Sequence, residues 1–437
     1  MCFPIGILIY SVTGILFKLY FIFYPLLIIN LIKQVYTKGS LIKYNSTIIF
    51  SIIFLLYGTI FVGIITFLNG NTLWSIIFGF KQHFLYLIVF FTLVLLLNDI
   101  KDHIILFKYL IIATSINAFT TIFQFLNSIG KYSTKIISAT NSYIDSANLP
   151  TSRWGTYLDF LGFERPLGLF LDLPSSSFFI QCGLISLLTV GFRSKNLVFS
   201  KSKTILLILV HVFSLLVHYS KINIFSFIFI LIILFFMNRS LTKYNLYYSV
   251  KKYLKFTGLT FVFISLAVFI FFIEIFTESL ITNIVFNFQG KAGIITGLTE
   301  IFKIESYNLD YFKMLFGIGY SVVNEYNWSN SIFNNSLNEL HAIRMHIDDY
   351  GYIGFCLYIS LYYLCVKNLL KSRKIFKKLK LADEFQLVTL GILISFATII
   401  SLLHYNVSVF GNVFFMGFVL SLTYFSKKRI SHFSIIR

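Results

Sequence analysis

The chain alternates between long apolar runs and short polar breaks from one end to the other. A run of about 20 apolar residues is long enough to cross a hydrocarbon core of about 30 Å as a helix. A transmembrane barrel would need short segments of alternating polarity, and the sequence has none. The pattern predicts spans at residues 46–67, 76–97, 103–125, 169–192, 204–219, 222–238, 256–275, 347–366, 385–404 and 409–425.

The N-terminal stretch 4–32 is long for one helix and short for two, with Lys18 near its middle. It has no evident cleavable signal and is expected to stay as a membrane anchor. The composition agrees, because the 437 residues are 57% hydrophobic and only 12% charged. The sequence therefore predicts an all-α polytopic membrane protein with about 11–12 transmembrane helices, forming one integral-membrane domain over residues 1–437.

The formal net charge of +19 comes from lysines and arginines that concentrate in short breaks between apolar runs. This distribution encodes membrane topology and does not indicate nucleic-acid binding, for which no motif is present. One orientation puts every strongly basic segment in the cytoplasm, including the C-terminus. Those segments are 33–43, 193–203, 239–255, 367–380 and 426–433.

The same orientation leaves two long extracytoplasmic loops, 126–168 and 276–346. Loops of this length usually have a function. Within the second loop, residues 290–302 show helical apolar spacing and are expected to lie along the membrane surface. The stretch FGIGY at 316–320 predicts a turn broken by glycines.

The first candidate stretch for chemistry is ERPLGLFLDLPSSSFFI at 164–180. Arg165 lies where the outer loop meets the membrane, and Gly168 shapes the following turn. A guanidinium there is suited to bind a phosphate or a sugar. The alternative is a structural arginine at the interface, paired with Glu164 or Asp172.

Two further outer segments bear cations. Arg153 beside Trp154 suits a sugar ring that stacks on an aromatic face, although tryptophans are also common at membrane interfaces. Lys221 follows the tight turn at 218–220, on the side where the positive-inside rule does not predict lysines. It is either a flanking lysine or a phosphate ligand.

The third stretch is HAIRMHIDDYGYIGF at 341–355. Residues at spacings of three or four are expected to share one helix face, namely His341, Arg344, Asp348 and Gly351. His346 and Asp349 lie off that face. One interpretation is a hydrated interfacial segment in which Arg344 pairs with Asp348; the other is a site for a phosphorylated substrate with a nearby proton acceptor. Gly351 and Gly354 are expected to admit a neighbouring helix closely.

In this order, these features resemble the bacterial Wzy-type O-antigen or capsular repeat-unit polymerases and the related O-antigen ligases. The matching stretches are the two outer loops, RPLG at 165–168, YSKINIFSF at 219–227, LFGIGY at 315–320 and the His/Asp-rich approach to GYIG at 351–354. The resemblance implies a GT-C-like fold in the inner membrane, with the active site facing the periplasm or exterior. It also implies a glycosyltransferase that polymerises undecaprenyl-pyrophosphate-linked repeat units into O-antigen, a part of lipopolysaccharide, or into capsule.

The resemblance and the chemistry together give the candidate site. The candidate catalytic residues are Arg165, Lys221, His341, His346 and Asp348. The candidate substrate-binding residues are Arg153, Trp154, Gly168, Lys291 and Arg344. The chain departs from the family in two places, because His341 is followed by alanine, where the ligases have asparagine, and Lys221 stands where arginine is common. The first departure weakens the ligase alternative.

No cofactor is expected. The spacings of histidines, carboxylates and the four cysteines suit no known metal site. The expected partners are the donor and acceptor glycans on undecaprenyl pyrophosphate, the lipid bilayer, a chain-length regulator and a flippase. The alternatives are an O-antigen ligase that transfers glycan to the lipid A core, and a flippase for lipid-linked oligosaccharides. A flippase should show repeated halves, which the sequence lacks.

Overall fold

The computed structural model describes residues 46–70, 73–97, 99–128, 166, 168–169, 173–191, 199–218, 221–239, 311–320, 341–402 and 413–435. Within these ranges every regular element is a helix. The helices are α1 (Ser46–Leu68), α2 (Leu73–Leu96), α3 (Asp102–Ser128), α4 (Leu173–Ser186), α5 (Lys201–His218), α6 (Lys221–Arg239), α7 (Tyr311–Phe316), α8 (His341–Lys378), α9 (Ala382–Ser401) and α10 (Val413–Ile435). Helix α4 continues as a π-helical stretch, Leu187–Gly191.

Five helices in the described ranges are long and apolar enough to cross a membrane. They are Ser46–Leu68, Asp102–Leu126, Lys201–His218, Ile343–Lys378 and Ala382–Ser401. Shorter apolar stretches lie within α2, α4 and α6. The predicted helical class is confirmed in this part of the chain, and its character is that of a polytopic membrane protein. The predicted spans at 4–32 and 256–275 lie outside the described residues.

Short connections reverse the chain direction between α1, α2 and α3, between α5 and α6, and between α8 and α9, so the bundle has two ends. One end, called the site end, holds Asn69, Gln124, Gly168, His218 and Tyr350. The opposite end, called the basic end, holds Lys201, Arg373 and Arg429. There the Arg429 guanidinium lies 3.5 Å from Glu384 and 3.7 Å from Asp99, which joins α10 to the starts of α9 and α3.

Two basic segments that were expected to be loops are helical instead. Helix α8 extends to Lys378 and so includes most of 367–380, and α10 extends to Ile435 through the C-terminal basic segment. Lysine is a good helix former, so a cluster of lysines determines topology without ending a helix. Helix α8 ends at Lys378, two residues before Lys380, whose φ of +57° turns the chain out of helical geometry.

Helix α8 is kinked at Tyr350 and Gly351, where the backbone leaves helical geometry. Gly351 has a φ of +67°, in the left-handed region that favours glycine. Partners outside α8 bind the carbonyl groups around the kink. Ile318 donates its N–H to the Asp348 carbonyl at 2.7 Å, and the Tyr57 hydroxyl donates to the Tyr350 carbonyl at 2.8 Å. The kink is therefore stabilised by hydrogen bonds.

The glycine-broken turn predicted at 316–320 is confirmed, since Gly317 and Gly319 both have a φ of +84°. Its backbone packs directly on the kink of α8. A Cβ at Gly317 would lie 2.6 Å from the Asp349 carbonyl oxygen, and one at Gly351 would overlap the Leu315 carbonyl oxygen. Gly351 therefore admits the C-terminal end of α7 together with the turn that follows it, and Gly354 admits the Tyr57 ring of α1, as expected for glycines at close helix contacts.

Helix α1 anchors the other side of the same turn. A π-helical stretch at Tyr57–Val62 leaves the Gly58 carbonyl to accept the Tyr320 hydroxyl at 2.9 Å. The Thr66 hydroxyl accepts the Tyr320 N–H at 2.8 Å. Burial, with a smaller contribution from Asp349, raises the pKa of the Tyr320 phenol well above its usual value, so its hydroxyl stays a hydrogen-bond donor.

Replacing Gly351 with alanine is expected to destabilise the protein strongly. The substitution adds a left-handed backbone penalty of about 1–2 kcal/mol and a clash with the turn. Gly70→Ala is the matched control, because Gly70 has a φ of +78° with open space around it and tests the backbone penalty alone. Thermal unfolding in detergent should show a clearly larger loss for Gly351→Ala. Equal losses of thermal stability in the two variants would mean that the packing of the turn against the kink does not contribute to stability.

Candidate functional site

A buried hydrogen-bond network holds the segment that follows Arg165. The Gln124 side-chain amide accepts the Gly168 N–H at 2.7 Å and donates to the Gly168 carbonyl at 2.9 Å. Asn117 accepts the Leu169 N–H at 2.7 Å. Gly168 has a φ of +66°, and a Cβ there would lie 2.8 Å from the Ser176 hydroxyl. Helix α3 thus fixes this segment through two amide side chains.

The network continues from α3 to the ends of α4 and α5. Asn117 donates to the Ser176 hydroxyl at 3.0 Å, and Ser176 lies 2.8 Å from His218 Nε2. His218 Nδ1 lies 2.8 Å from the Ser214 carbonyl, which can only accept, so Nδ1 carries a proton. A neutral His218 then accepts the Ser176 hydroxyl proton at Nε2. We call Asn117, Gln124, Gly168, Ser176 and His218 the Gly168 cluster.

The Gly168 cluster joins two segments that are distant in sequence. Arg165 precedes the buried Pro166 and is three residues from Gly168. Lys221 begins α6 and is three residues from His218. Three residues span at most about 11 Å. Each of the two cations singled out in the sequence is therefore three residues along the chain from a member of the same hydrogen-bonded cluster.

A second cluster lies beside the kink of α8. His83 Nε2 on α2 lies 2.6 Å from an Asp349 carboxylate oxygen, and both side chains are buried. The His83 ring stacks on Tyr320, with ring centroids 5.8 Å apart, and meets the edge of Tyr350 at 5.2 Å. His83 Nδ1 has no hydrogen-bond partner among the described residues. We call His83, Tyr320, Asp349 and Tyr350 the His83 cluster.

The remaining charged residues of this stretch are also buried on α8. Arg344 is 1% exposed and its Nε lies 3.7 Å from an Asp348 carboxylate oxygen, so the predicted pairing of these two side chains is confirmed. The predicted hydration of the segment is wrong, because Asp348 is only 5% exposed. His346 Nδ1 is hydrogen-bonded to the Tyr350 hydroxyl, and its ring lies 4.7 Å from that of Tyr358. His346 thus faces the aromatic interior.

The other predicted site residues are described in part or not at all. His341 is the first residue of α8, five residues inside the loop predicted at 276–346. The side chains of His341 and Lys221 lie outside the described part of the structure. The predicted site residues that lie wholly outside it are Arg153, Trp154, Arg165 and Lys291. The surface helix predicted at 290–302 also falls there.

Several residues of these clusters were missed in the sequence. Asn117 and Gln124 lie inside a predicted apolar span, and a polar group in that setting needs a partner within the protein. Their spacing of seven puts both on one face of α3. That pattern predicts that both side chains have partners inside the protein. It does not identify Gly168 as a partner, because Gly168 binds only through its backbone groups.

The described residues contain no group of three or more His, Cys, Asp or Glu side chains close enough together to hold a metal ion. No protein-family model matches this chain, and no curated protein is significantly similar to it. Any functional conclusion therefore depends on the sequence features and on the geometry of the two clusters.

Asn117→Ala is expected to destabilise the protein by about 1–3 kcal/mol, because it leaves the buried Leu169 N–H without its acceptor. Thr120→Ala is the control on the same helix, since the Thr120 hydroxyl bonds only to the backbone of α3 at Ile116. Unfolding by SDS in mixed micelles measures both variants. A loss for Asn117→Ala no larger than for Thr120→Ala would contradict this role.

His83→Ala and Asp349→Ala are each expected to cost about 3–5 kcal/mol, because each leaves one member of a buried pair uncompensated. The double variant should cost clearly less than the sum of the two single losses. Asp349→Asn, which keeps an acceptor oxygen, should cost less than Asp349→Ala. Additive losses in the same SDS titration would show that the two side chains do not interact.

Proposed function

We propose that this protein is a membrane glycosyltransferase of the Wzy type. It would extend a glycan carried on undecaprenyl pyrophosphate by transferring it to the next lipid-linked repeat unit, which produces O-antigen or capsular polysaccharide. The proposal includes a GT-C-like bundle of about 11–12 transmembrane helices in the inner membrane. The site end would face the periplasm or exterior, with the C-terminus in the cytoplasm.

The observation that supports this proposal best is the Gly168 cluster. The proposed reaction needs two or more cations at one lipid pyrophosphate, and the sequence offers Arg165 and Lys221 in segments 56 positions apart. The two segments are connected through Asn117, which accepts the Leu169 N–H and donates to Ser176. Ser176 is in turn hydrogen-bonded to His218. A non-catalytic scaffold has no need for such a link between two cationic segments.

The chemistry follows from charge. The bond between the sugar anomeric carbon and the pyrophosphate oxygen breaks, a bond to the acceptor hydroxyl oxygen forms, and undecaprenyl pyrophosphate leaves. Negative charge grows on the leaving group in the transition state, so fixed cations lower the barrier. Arg165 and Lys221 would supply these cations. Gly168 would hold the backbone after Arg165 in place.

The acceptor hydroxyl must lose its proton, and the candidates are His341, His346 and Asp348. His346 is hydrogen-bonded to Tyr350 within the aromatic interior, and Asp348 is paired with Arg344. We therefore assign the proton acceptor to His341, at the start of α8. Arg344 and Asp348 would act as a buried pair that keeps this part of α8 in register. Arg153, Trp154 and Lys291 would contact the sugars and phosphates.

The orientation is supported by the distribution of lysines between the two ends. Exposed lysines of the described ranges gather at the basic end, including Lys101, Lys201, Lys371 and Lys427. Lys313 on α7 is exposed at the site end. Cytoplasmic ends of membrane proteins are enriched in lysine, which favours a cytoplasmic basic end.

Arg165→Ala and Lys221→Ala are each expected to abolish long-chain polysaccharide while the protein remains in the membrane at normal amounts. Lys221→Arg should retain chain extension, because it keeps the charge. Lys201→Ala removes an exposed lysine at the basic end and serves as the charge control. Gel analysis of surface glycan in a deletion strain that expresses each variant measures the outcome.

The deletion strain itself separates the alternatives. A single repeat on the final acceptor supports a polymerase, whereas complete polymer retained on undecaprenyl carrier indicates a ligase. Loss of all repeats from the surface indicates a flippase. Normal ladders in both alanine variants would refute the assignment of Arg165 and Lys221.

A further inference from the structure

One face of α8 changes from apolar to basic along its length. Its exposed residues at spacings of three, four or seven are first Ile353, Cys356 and Tyr363, and then Lys367, Lys371, Lys374 and Lys378. These spacings place all of them on one side of the helix. We call the four lysines the lysine stripe.

The opposite face of α8 is packed inside the bundle. Leu369 and Phe376 are fully buried, and Arg373 donates to Thr389 and to the Met237 carbonyl, each at 3.0 Å. The lysine stripe therefore points away from the helices that the structure describes. Its apolar continuation toward the kink points the same way, which is the direction of the surrounding lipid in a membrane-spanning helix.

The length of α8 brings the stripe to the membrane surface. The straight part from Tyr352 to Lys378 is about 40 Å long at 1.5 Å per residue, which exceeds the hydrocarbon core of about 30 Å. Lys367 is the first lysine of the stripe, and its ammonium lies 5.7 Å from the centre of the Tyr363 ring. A tyrosine followed by a lysine is typical of a helix that leaves the hydrocarbon and enters the headgroup layer.

The stripe has no nearby carboxylate in its own helix. Between Gly351 and Lys380 the sequence contains no aspartate or glutamate. Glu384, at the start of α9, lies 3.5 Å from Arg429. Four exposed ammonium groups in a row, facing lipid and unmatched by acidic residues of α8, suit the phosphates of a lipid leaflet.

We propose that the lysine stripe is a binding site for the phosphate groups of anionic lipids in the leaflet at the basic end. This site is independent of the proposed glycosyltransferase activity and lies at the opposite end of the bundle. Each lysine near an anionic surface contributes roughly fivefold to the binding constant. The stripe holds these lipids beside α8 and fixes the depth of the helix in the bilayer.

The test uses the full chain in nanodiscs that contain phosphatidylcholine with or without phosphatidylglycerol. Native mass spectrometry gives the ratio of the two lipids that stay bound. The test variant has all four stripe lysines replaced by glutamine, and its selectivity for phosphatidylglycerol should fall by more than the roughly fivefold that one lysine contributes. The double variant Lys371→Gln, Lys374→Gln should lose an intermediate part of this lipid selectivity. It replaces the quadruple variant in the test if the quadruple variant does not fold.

Two controls separate the stripe from total charge. Four exposed lysines outside the stripe are replaced by glutamine in one control, namely Lys101, Lys108, Lys201 and Lys203. This control should lose clearly less selectivity than the quadruple stripe variant, whereas a variant with arginine at the four stripe positions should keep wild-type selectivity. The proposal is overturned if the glutamine variants of the stripe keep wild-type selectivity, or if the first control loses as much as they do.

Discussion

Polar groups inside an apolar bundle must find their partners within the protein, because neither lipid nor packed hydrocarbon side chains can supply hydrogen bonds. This constraint explains the site end. The carbonyl groups at the kink of α8 accept from Ile318 and Tyr57. Gln124 accepts the N–H of Gly168 and donates to its carbonyl. Irregular backbone is tolerated at these places because each of these backbone groups has a specific hydrogen-bond partner. The glycines are needed there because the partners come too close for any Cβ.

The helical class and most span positions could be predicted from hydrophobic runs, since length and apolarity largely decide whether a segment forms a membrane helix. The C-terminal ends of α8 and α10 could not be predicted in this way. Charge marks where a chain leaves the membrane, but lysines continue a helix as readily as apolar residues do. The glycine-broken turn at 316–320 was also predictable, since two glycines that flank one residue permit positive φ angles.

The site was predictable only in its cations and in the pairing of Arg344 with Asp348, which follows from helix spacing. The hydrogen-bond partners that lie on different helices were not predictable. His83 and Asp349 are separated by 266 positions and Asn117 and Leu169 by 52, so no local pattern relates them. A polar residue in an apolar span predicts that a hydrogen-bond partner exists elsewhere in the protein. The identity of that partner becomes known only from how the helices pack. Gly168 was singled out for its turn, and its role as the centre of a hydrogen-bond network appears only in three dimensions.

The two ends of the bundle differ in charge within the described residues, because most exposed lysines lie at the basic end. That contrast suits an enzyme that works at one membrane face and is oriented by the other. The proposal that the site end extends lipid-linked glycans can be tested with purified protein in liposomes. With a synthetic repeat unit on undecaprenyl pyrophosphate as the only substrate, we expect a ladder of products, with one undecaprenyl pyrophosphate released per added repeat. Absence of any product longer than the starting repeat, with protein that is folded and inserted, would contradict it.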